Sequence, residues 1–128
     1  MRLNQVTVTV ADVESATAFY RTLGLKLIVK SPHYARFECP RGESTFSIHL
    51  GDVSAAPSTV VYFENEHLDA AVKRLKDAGI VFDSEPADQR WLWREARLRD
   101  PSGNPICLYH AGDNRLNPPW RLSEASHN

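Results

Sequence analysis

The sequence predicts an α+β fold made of two βαβββ modules, which form a cup-shaped mixed sheet with the helices outside. Residues 5–24 (QVTVTVADVESATAFYRTLG) indicate a strand followed by a helix. A second strand and helix follow, and their closing glycine, Gly79, lies 55 residues after the first closing glycine, Gly24. Three apolar, strand-like segments come after each helix. An internal repeat of this kind determines the architecture before any single element is assigned.

The first module begins with strict alternation. Residues 5–10 alternate valine with glutamine and threonine, which is the period of a half-buried strand. Asp12 is predicted to cap the following helix, because its carboxylate can accept backbone N–H groups of the first turn. Gly24 ends that helix, since glycine reaches the left-handed conformation without steric cost. Strand-like segments follow at 25–29, 34–39 and 45–50.

The second module repeats this order less regularly. Residues 59–64 (TVVYFE) predict a strand, a helix opens at Asn65 or Glu66, and Gly79 ends it. The three following strand-like segments are predicted at 80–83, 93–99 and 106–109, with a loop at 86–91. The glycine and asparagine of the Asp-Pro-Ser-Gly-Asn run at 100–104 tolerate positive φ, so this run predicts a tight turn before the last strand.

The modules have predicted bounds. The first covers residues 1–52, a small polar linker covers 53–57, the second module covers 58–111, and an extension covers 112–128. Together they form one domain. The apolar residues of the extension are expected to dock on the body of the chain or on a second subunit; they are Leu116, Trp120 and Leu122.

Composition excludes several function classes. The 128 residues include 15 basic and 16 acidic side chains, for a net charge of −1. That balance, without a basic cluster, argues against a nucleic-acid partner. No stretch reaches the length of a membrane span, and residues 1–10 lack the apolar core of a signal peptide. Two cysteines, Cys39 and Cys107, are too few for a disulfide framework, so a cytoplasmic location is expected.

Three segments carry a resemblance to a known family: VTVTVADVESATAFYRTLGL, YFENEHLDAAVKRLKDAGI and WREARLRDPSGNPICLY. They resemble the vicinal oxygen chelate superfamily, which includes glyoxalase I, bleomycin-resistance proteins, extradiol dioxygenases and fosfomycin-resistance enzymes. The resemblance covers roughly residues 3–111. It implies the paired-module fold, and a cup completed by a second copy of the chain, hence a homodimer. One fold hosts many reactions, so it implies much less about chemistry.

The predicted strand phases place polar and aromatic side chains on the sheet faces opposite the helices. Nothing in the single chain is expected to cover those faces, and such a concave surface is the default ligand site. Arg36 and Glu38 share this phase. The face itself carries Gln5, Thr7, Ser47, His49, Tyr62, Glu95, Arg97, Cys107 and Tyr109. The predicted ligand-binding residues are Thr7, Ser47, Tyr62, Trp93, Arg97 and Tyr109.

The resemblance also implies four metal positions, which fall on Gln5, His49, Val60 and Cys107. Val60 has no donor atom, so at most three ligands remain: Gln5, His49 and Cys107. The cofactor is therefore either none or one divalent ion such as Zn, Ni, Mn or Fe. Glu95 is a candidate catalytic base, and Cys107 stands where the family usually has a glutamate base.

Two functions compete on these residues. The first is a metal-free protein that binds a small organic molecule in the polar and aromatic cup. The second is a metal-assisted lyase, isomerase or dioxygenase that uses Gln5 and His49 as ligands. Each candidate residue also has a purely structural interpretation: His49 as a hydrogen-bonded sheet residue, Cys107 as a small filler, and Glu95 with Arg97 as a cross-strand ion pair.

Overall fold

Two four-stranded mixed sheets, with one α-helix in each half of the chain, make up the computed structural model, which describes residues 1–123. The predicted α+β class and the repeated module are confirmed. The first half contains β1 (Gln5–Val10), α1 (Val13–Leu23), β2 (Lys26–Ser31), β3 (Tyr34–Glu38) and β4 (Thr45–Leu50). The second half contains β5 (Val61–Glu64), α2 (Leu68–Asp77), β6 (Ala87–Asp88), β7 (Arg94–Arg99) and β8 (Pro105–His110), followed by a 3-10 helix at Gly112–Arg115.

The first sheet has the strand order β1-β4-β3-β2, and β1 runs parallel to β4. The remaining neighbours are antiparallel. The predicted alternation is confirmed, because the apolar positions are buried: Val10, Ala35, Phe37 and Ile48 are all fully inaccessible. The opposite face therefore carries the polar side chains of the same strands.

Helix α1 packs its aromatic stripe on this sheet. The Tyr20 ring lies 4.6 Å from the ring of Phe46 and 5.9 Å from that of Phe37. Asp12 caps the helix as predicted, accepting the Glu14 backbone N–H at 3.0 Å. Gly24 ends it with φ of 110°, the left-handed conformation that glycine adopts without steric cost.

By its contacts the chain divides into two units. The first comprises Met1–Val60 together with Arg99–Ile106, and the second comprises Val61–Leu98 together with the chain from Cys107. The tight turn at residues 100–104 therefore packs with the first unit. Of the two sheets, the second has the strand order β5-β8-β7-β6.

A buried carboxylate holds that turn in the first unit. Asp100 is 4% exposed and accepts the Tyr20 hydroxyl at 2.7 Å and the Asn104 side-chain amide at 2.8 Å. The same Asn104 amide group donates to the Thr9 carbonyl at 2.8 Å. Burial, then the charge of Asp100 beside it, raises the pKa of Tyr20 far above its usual value, so the hydroxyl remains a donor. One side-chain network thus joins α1, β1 and the turn.

The strands of the second half depart from the predicted boundaries, and β5 begins at Val61 instead of residue 59. The strand expected at 80–83 is reduced to a single bridge between Phe82 and Leu98, and a short strand, β6, forms inside the expected loop at 86–91. The backbone N–H groups of Asp83 and Ser84 both donate to the Arg97 carbonyl, so the chain runs irregularly along β7 there. Regular strand pairing begins only after Pro86, since proline has no backbone N–H to donate to a neighbouring strand.

Helix α2 also starts later than predicted. It begins at Leu68, because the Asn65 side chain accepts the His67 N–H at 2.8 Å and forms a separate turn. Its apolar stripe is buried as expected: Leu68, Ala71, Val72 and Leu75. Among residues 1–123, no helix has both the length and the apolar character that a membrane crossing requires.

We expect Asp100→Ala to lower the free energy of unfolding by about 3 kcal/mol, because it leaves the buried Tyr20 and Asn104 donors without their acceptor. Urea denaturation followed by circular dichroism measures this change. The exposed Asp77, whose carboxylate lies 3.7 Å from Lys73, supplies the matched control; Asp77→Ala should change stability by no more than about 0.5 kcal/mol. Equal losses in the two variants would contradict the assigned role of Asp100.

Candidate functional site

The polar face of the first sheet is ordered by hydrogen bonds between neighbouring strands. Thr7 of β1, Ser47 of β4 and Arg36 of β3 lie side by side in register. The Ser47 hydroxyl lies 2.7 Å from the Tyr34 hydroxyl, and the Arg36 Nε donates to that same Tyr34 oxygen at 2.9 Å. Two predicted ligand-binding residues, Thr7 and Ser47, therefore meet in one row.

Gln5 and His49 lie on this face but do not converge. Gln5 is in register with Thr45, whose hydroxyl donates to the Gln5 Oε1 at 2.8 Å. His49 is in register with Thr9, and its Nε2 lies 3.0 Å from the Thr9 hydroxyl. Four residues of strand separate the two positions, which corresponds to about 13 Å along the sheet.

This separation matters for the metal that the resemblance implies. Side-chain donors on one divalent ion each lie about 2 Å from it, so two donors are about 4 Å or less apart. Gln5 bonds to Thr45 and His49 bonds to Thr9, so their side chains are engaged at different positions along the sheet, and Val60 has no donor atom. Within residues 1–123 there is no group of three or more His, Cys, Asp and Glu side chains that could hold a metal ion. The residues present do not fit the family's metal site.

An aromatic cluster dominates the polar face of the second sheet. The rings of Trp93 and Tyr109 stack with centroids 4.7 Å apart and an interplanar angle of 22°. Tyr62 meets both rings edge-on, at 6.0 Å from Trp93 and 5.6 Å from Tyr109. Edge-to-face and offset-stacked pairs are the favoured aromatic geometries. Three of the predicted ligand-binding residues thus form one cluster, and Tyr62 remains 43% exposed.

A buried carboxylate lies beside this cluster. Glu95 is 4% exposed and accepts the Arg97 Nη2 at 3.0 Å and the Trp91 indole N–H at 2.8 Å. The Arg97 guanidinium also lies 5.7 Å from the centre of the Tyr62 ring. Both Glu95 oxygens are engaged by donors, so the carboxylate fixes Arg97 and Trp91. To act as a base, Glu95 would have to release one of these partners.

Cys107 is fully buried on β8. Burial, followed by the charge of Glu95, raises the pKa of its thiol to about 12. Both a nucleophile and a metal ligand need the thiolate, which this environment disfavours near neutral pH. The expectation that nothing in the single chain covers these faces is wrong on β4 and β8: Ser47 is fully buried, and Tyr109, on which Trp93 stacks, is only 7% exposed.

Sequence reasoning missed two residues of these arrangements. Tyr34 is not among the predicted site residues, although the alternating YARFE strand places it beside His49 and near Ser47. Trp91 falls in the predicted loop at 86–91, and its bond to Glu95 has no signature in the local sequence. The i, i+2 spacing of Tyr34 and Arg36 was the available signal, since it places both on one face.

Comparison with known proteins gives one family match and many similar folds. The sequence matches the model of the Glyoxalase/Bleomycin resistance protein/Dioxygenase superfamily over residues 2–108. No curated protein sequence gives a significant match. Among solved structures, a glyoxalase/bleomycin resistance protein/dioxygenase from Nocardioides is 26% identical, with a TM-score of 0.76 over 96% of this chain and 90% of that one.

Two more distant structures share the fold. A lactoylglutathione lyase from Agrobacterium tumefaciens is 18% identical, with a TM-score of 0.72 over 85% of this chain and 92% of that one. A bleomycin-binding protein, solved in complex with bleomycin, is 21% identical, with a TM-score of 0.68 over 86% of this chain and 98% of that one. At these identities the likeness concerns the fold alone.

Cys107 should resist alkylation as long as the protein is folded. In a Cys39→Ser variant, whose single thiol is Cys107, we expect iodoacetamide at pH 7.5 to react at least about a hundredfold more slowly than in denaturant, because the raised pKa and burial both suppress the thiolate. Mass spectrometry over time measures the two rates. Rapid alkylation in the folded state would show an accessible, ionised thiol and restore a chemical role for Cys107.

Proposed function

Because the chain belongs to the glyoxalase/bleomycin resistance protein/dioxygenase superfamily, we propose that it binds a small planar organic molecule without a metal ion. The observation that carries this proposal is the cluster of Tyr62, Trp93 and Tyr109 beside Arg97. Stacked rings offer a flat apolar surface, and a fixed polar group next to it orients whatever stacks there.

The polar partner in this proposal is Arg97. Glu95 fixes its guanidinium from one side, and Tyr62 lies under it, while 40% of the arginine side chain remains exposed. A guanidinium held in this way loses little further freedom when it donates to a ligand, so the cost of binding is reduced. The ligand is accordingly a planar molecule with a hydrogen-bond acceptor at its edge.

The metal-assisted lyase, isomerase or dioxygenase is not proposed. Its ligands would be Gln5, His49 and Cys107, yet the first two are paired with different threonines along β1 and β4. The third ligand, Cys107, is a buried thiol whose pKa is raised to about 12.

We also propose that the protein is located in the cytoplasm. Both cysteines are free thiols, which fits the reducing conditions of that compartment.

Planar heteroaromatic fragments, screened by ligand-observed NMR, should include binders that depend on the aromatic cluster. We expect Trp93→Leu to weaken the binding of these fragments on the order of tenfold or more. The stacking of a planar base on an aromatic side chain contributes about 1–3 kcal/mol to binding. Val81→Ser is the control, since Val81 is 82% exposed and lies outside both the cluster and the extension. Hits that bind both variants equally well would overturn the proposed site.

We also propose that the protein is a homodimer. The apolar residues of the extension are not buried against the chain itself: Leu116, Trp120 and Leu122 are 58%, 57% and 63% exposed. Several large apolar side chains exposed within one short segment of chain favour an interaction surface. These residues were expected to dock either on the body of the chain or on a second subunit. Since the body does not bury them, we propose that a second copy of the chain does.

Light scattering at micromolar concentration should give twice the mass of one chain. The double variant Leu116→Ser, Trp120→Ser should raise the dissociation constant by roughly tenfold or more, since buried aromatic anchors dominate interface energies. Val81→Ser serves as the control, because Val81 is 82% exposed outside the extension. A monomeric wild-type protein would contradict the proposal.

A further inference from the structure

Three side chains on the polar face of the first sheet form a hydrogen-bonded group that the proposed function does not use. Tyr34 and Arg36 lie two residues apart on β3, and Ser47 lies beside them on β4. The Tyr34 oxygen is 2.7 Å from the Ser47 Oγ and 2.9 Å from the Arg36 Nε. All three belong to the first unit.

The direction of these bonds determines what the group can recognise. A guanidinium has no acceptor, so Arg36 donates to the phenol oxygen. When Ser47 also donates to that oxygen, the phenol proton points away from both partners and is available to an external acceptor. Hydrogen bonding by Ser47, and then by Arg36, lowers the pKa of Tyr34, which makes its hydroxyl a stronger donor.

Burial fixes one member of the group and leaves the others within reach of solvent. Ser47 is completely inaccessible, whereas Tyr34 and Arg36 are only half-buried. The Arg36 guanidinium lies 5.5 Å from the centre of the Tyr34 ring, so the two side chains hold each other in place. This contact holds the Arg36 guanidinium and the Tyr34 hydroxyl next to each other before any ligand binds.

We propose that Tyr34, Arg36 and Ser47 form a recognition site for the carboxylate group of a small organic acid. The planar fork of a guanidinium matches the two oxygens of a carboxylate, and the phenol hydroxyl adds a third donor. Ser47 is a positioning residue, since it reaches the ligand only through Tyr34. Glu38, the acidic residue two positions further along the same face, is in register with Lys26 on β2.

The test compares benzoate with its neutral isostere benzamide. Both are titrated into the ¹⁵N-labelled protein, and the backbone amide shifts of residues 34–38 and 45–49 are followed at constant ionic strength. We expect saturable shifts with benzoate and none with benzamide. Arg36→Met should weaken benzoate binding by about tenfold or more, and Tyr34→Phe by about threefold to tenfold, because each removes a hydrogen bond to a charged group.

Arg74→Met is the matched control, since Arg74 is an exposed arginine on α2, and it should bind benzoate like the wild type. Arg36→Lys should restore only part of the affinity, because lysine keeps the charge but not the fork. Equal shifts with benzamide, or equal affinities for Arg36→Met and Arg74→Met, would overturn the proposal. The shifts are resolved by residue, so failure here leaves the stacking test on Trp93 unaffected.

Discussion

The buried carboxylate of Asp100 is the interaction on which the first unit depends. It collects the Tyr20 hydroxyl from α1 and the Asn104 amide from the turn, and Asn104 in turn donates to the Thr9 carbonyl of β1. A buried carboxylate is costly unless its lone pairs are satisfied. Here backbone N–H groups of Ser102 and Asn104 complete its shell. The turn, the helix and the strand are therefore held in one arrangement.

The polar side chains on each sheet are already hydrogen-bonded to their neighbours before any ligand is present. In the first sheet the hydroxyls of Ser47 and Tyr34 meet, and in the second Glu95 holds Arg97 and Trp91. Side chains fixed in this way lose less entropy when they bind. The faces therefore favour recognition of a molecule with defined polar groups over a purely apolar one.

The same faces explain why we do not carry the metal site implied by the resemblance over to this chain. Metal chemistry needs several donors directed at one point, whereas the donors here are bonded to neighbours along the strands. Gln5 bonds to Thr45, and His49 to Thr9. Membership of a superfamily fixes the scaffold, while each site on it must be argued from its own residues.

The sequence alone determined the repeated module, the bounds of the first strand and helix, and the alternation of buried apolar and polar positions in the first sheet, because all of these follow from local periodicity and capping. Asp12, Gly24 and the valines of β1 carry that information within a few residues. Only the tertiary structure decided which side chains meet. The partners of Asp100, the bond from Trp91 to Glu95 and the four-residue offset between Gln5 and His49 depend on strand register and loop path. Those are set by packing between segments distant in the chain, which no local pattern encodes.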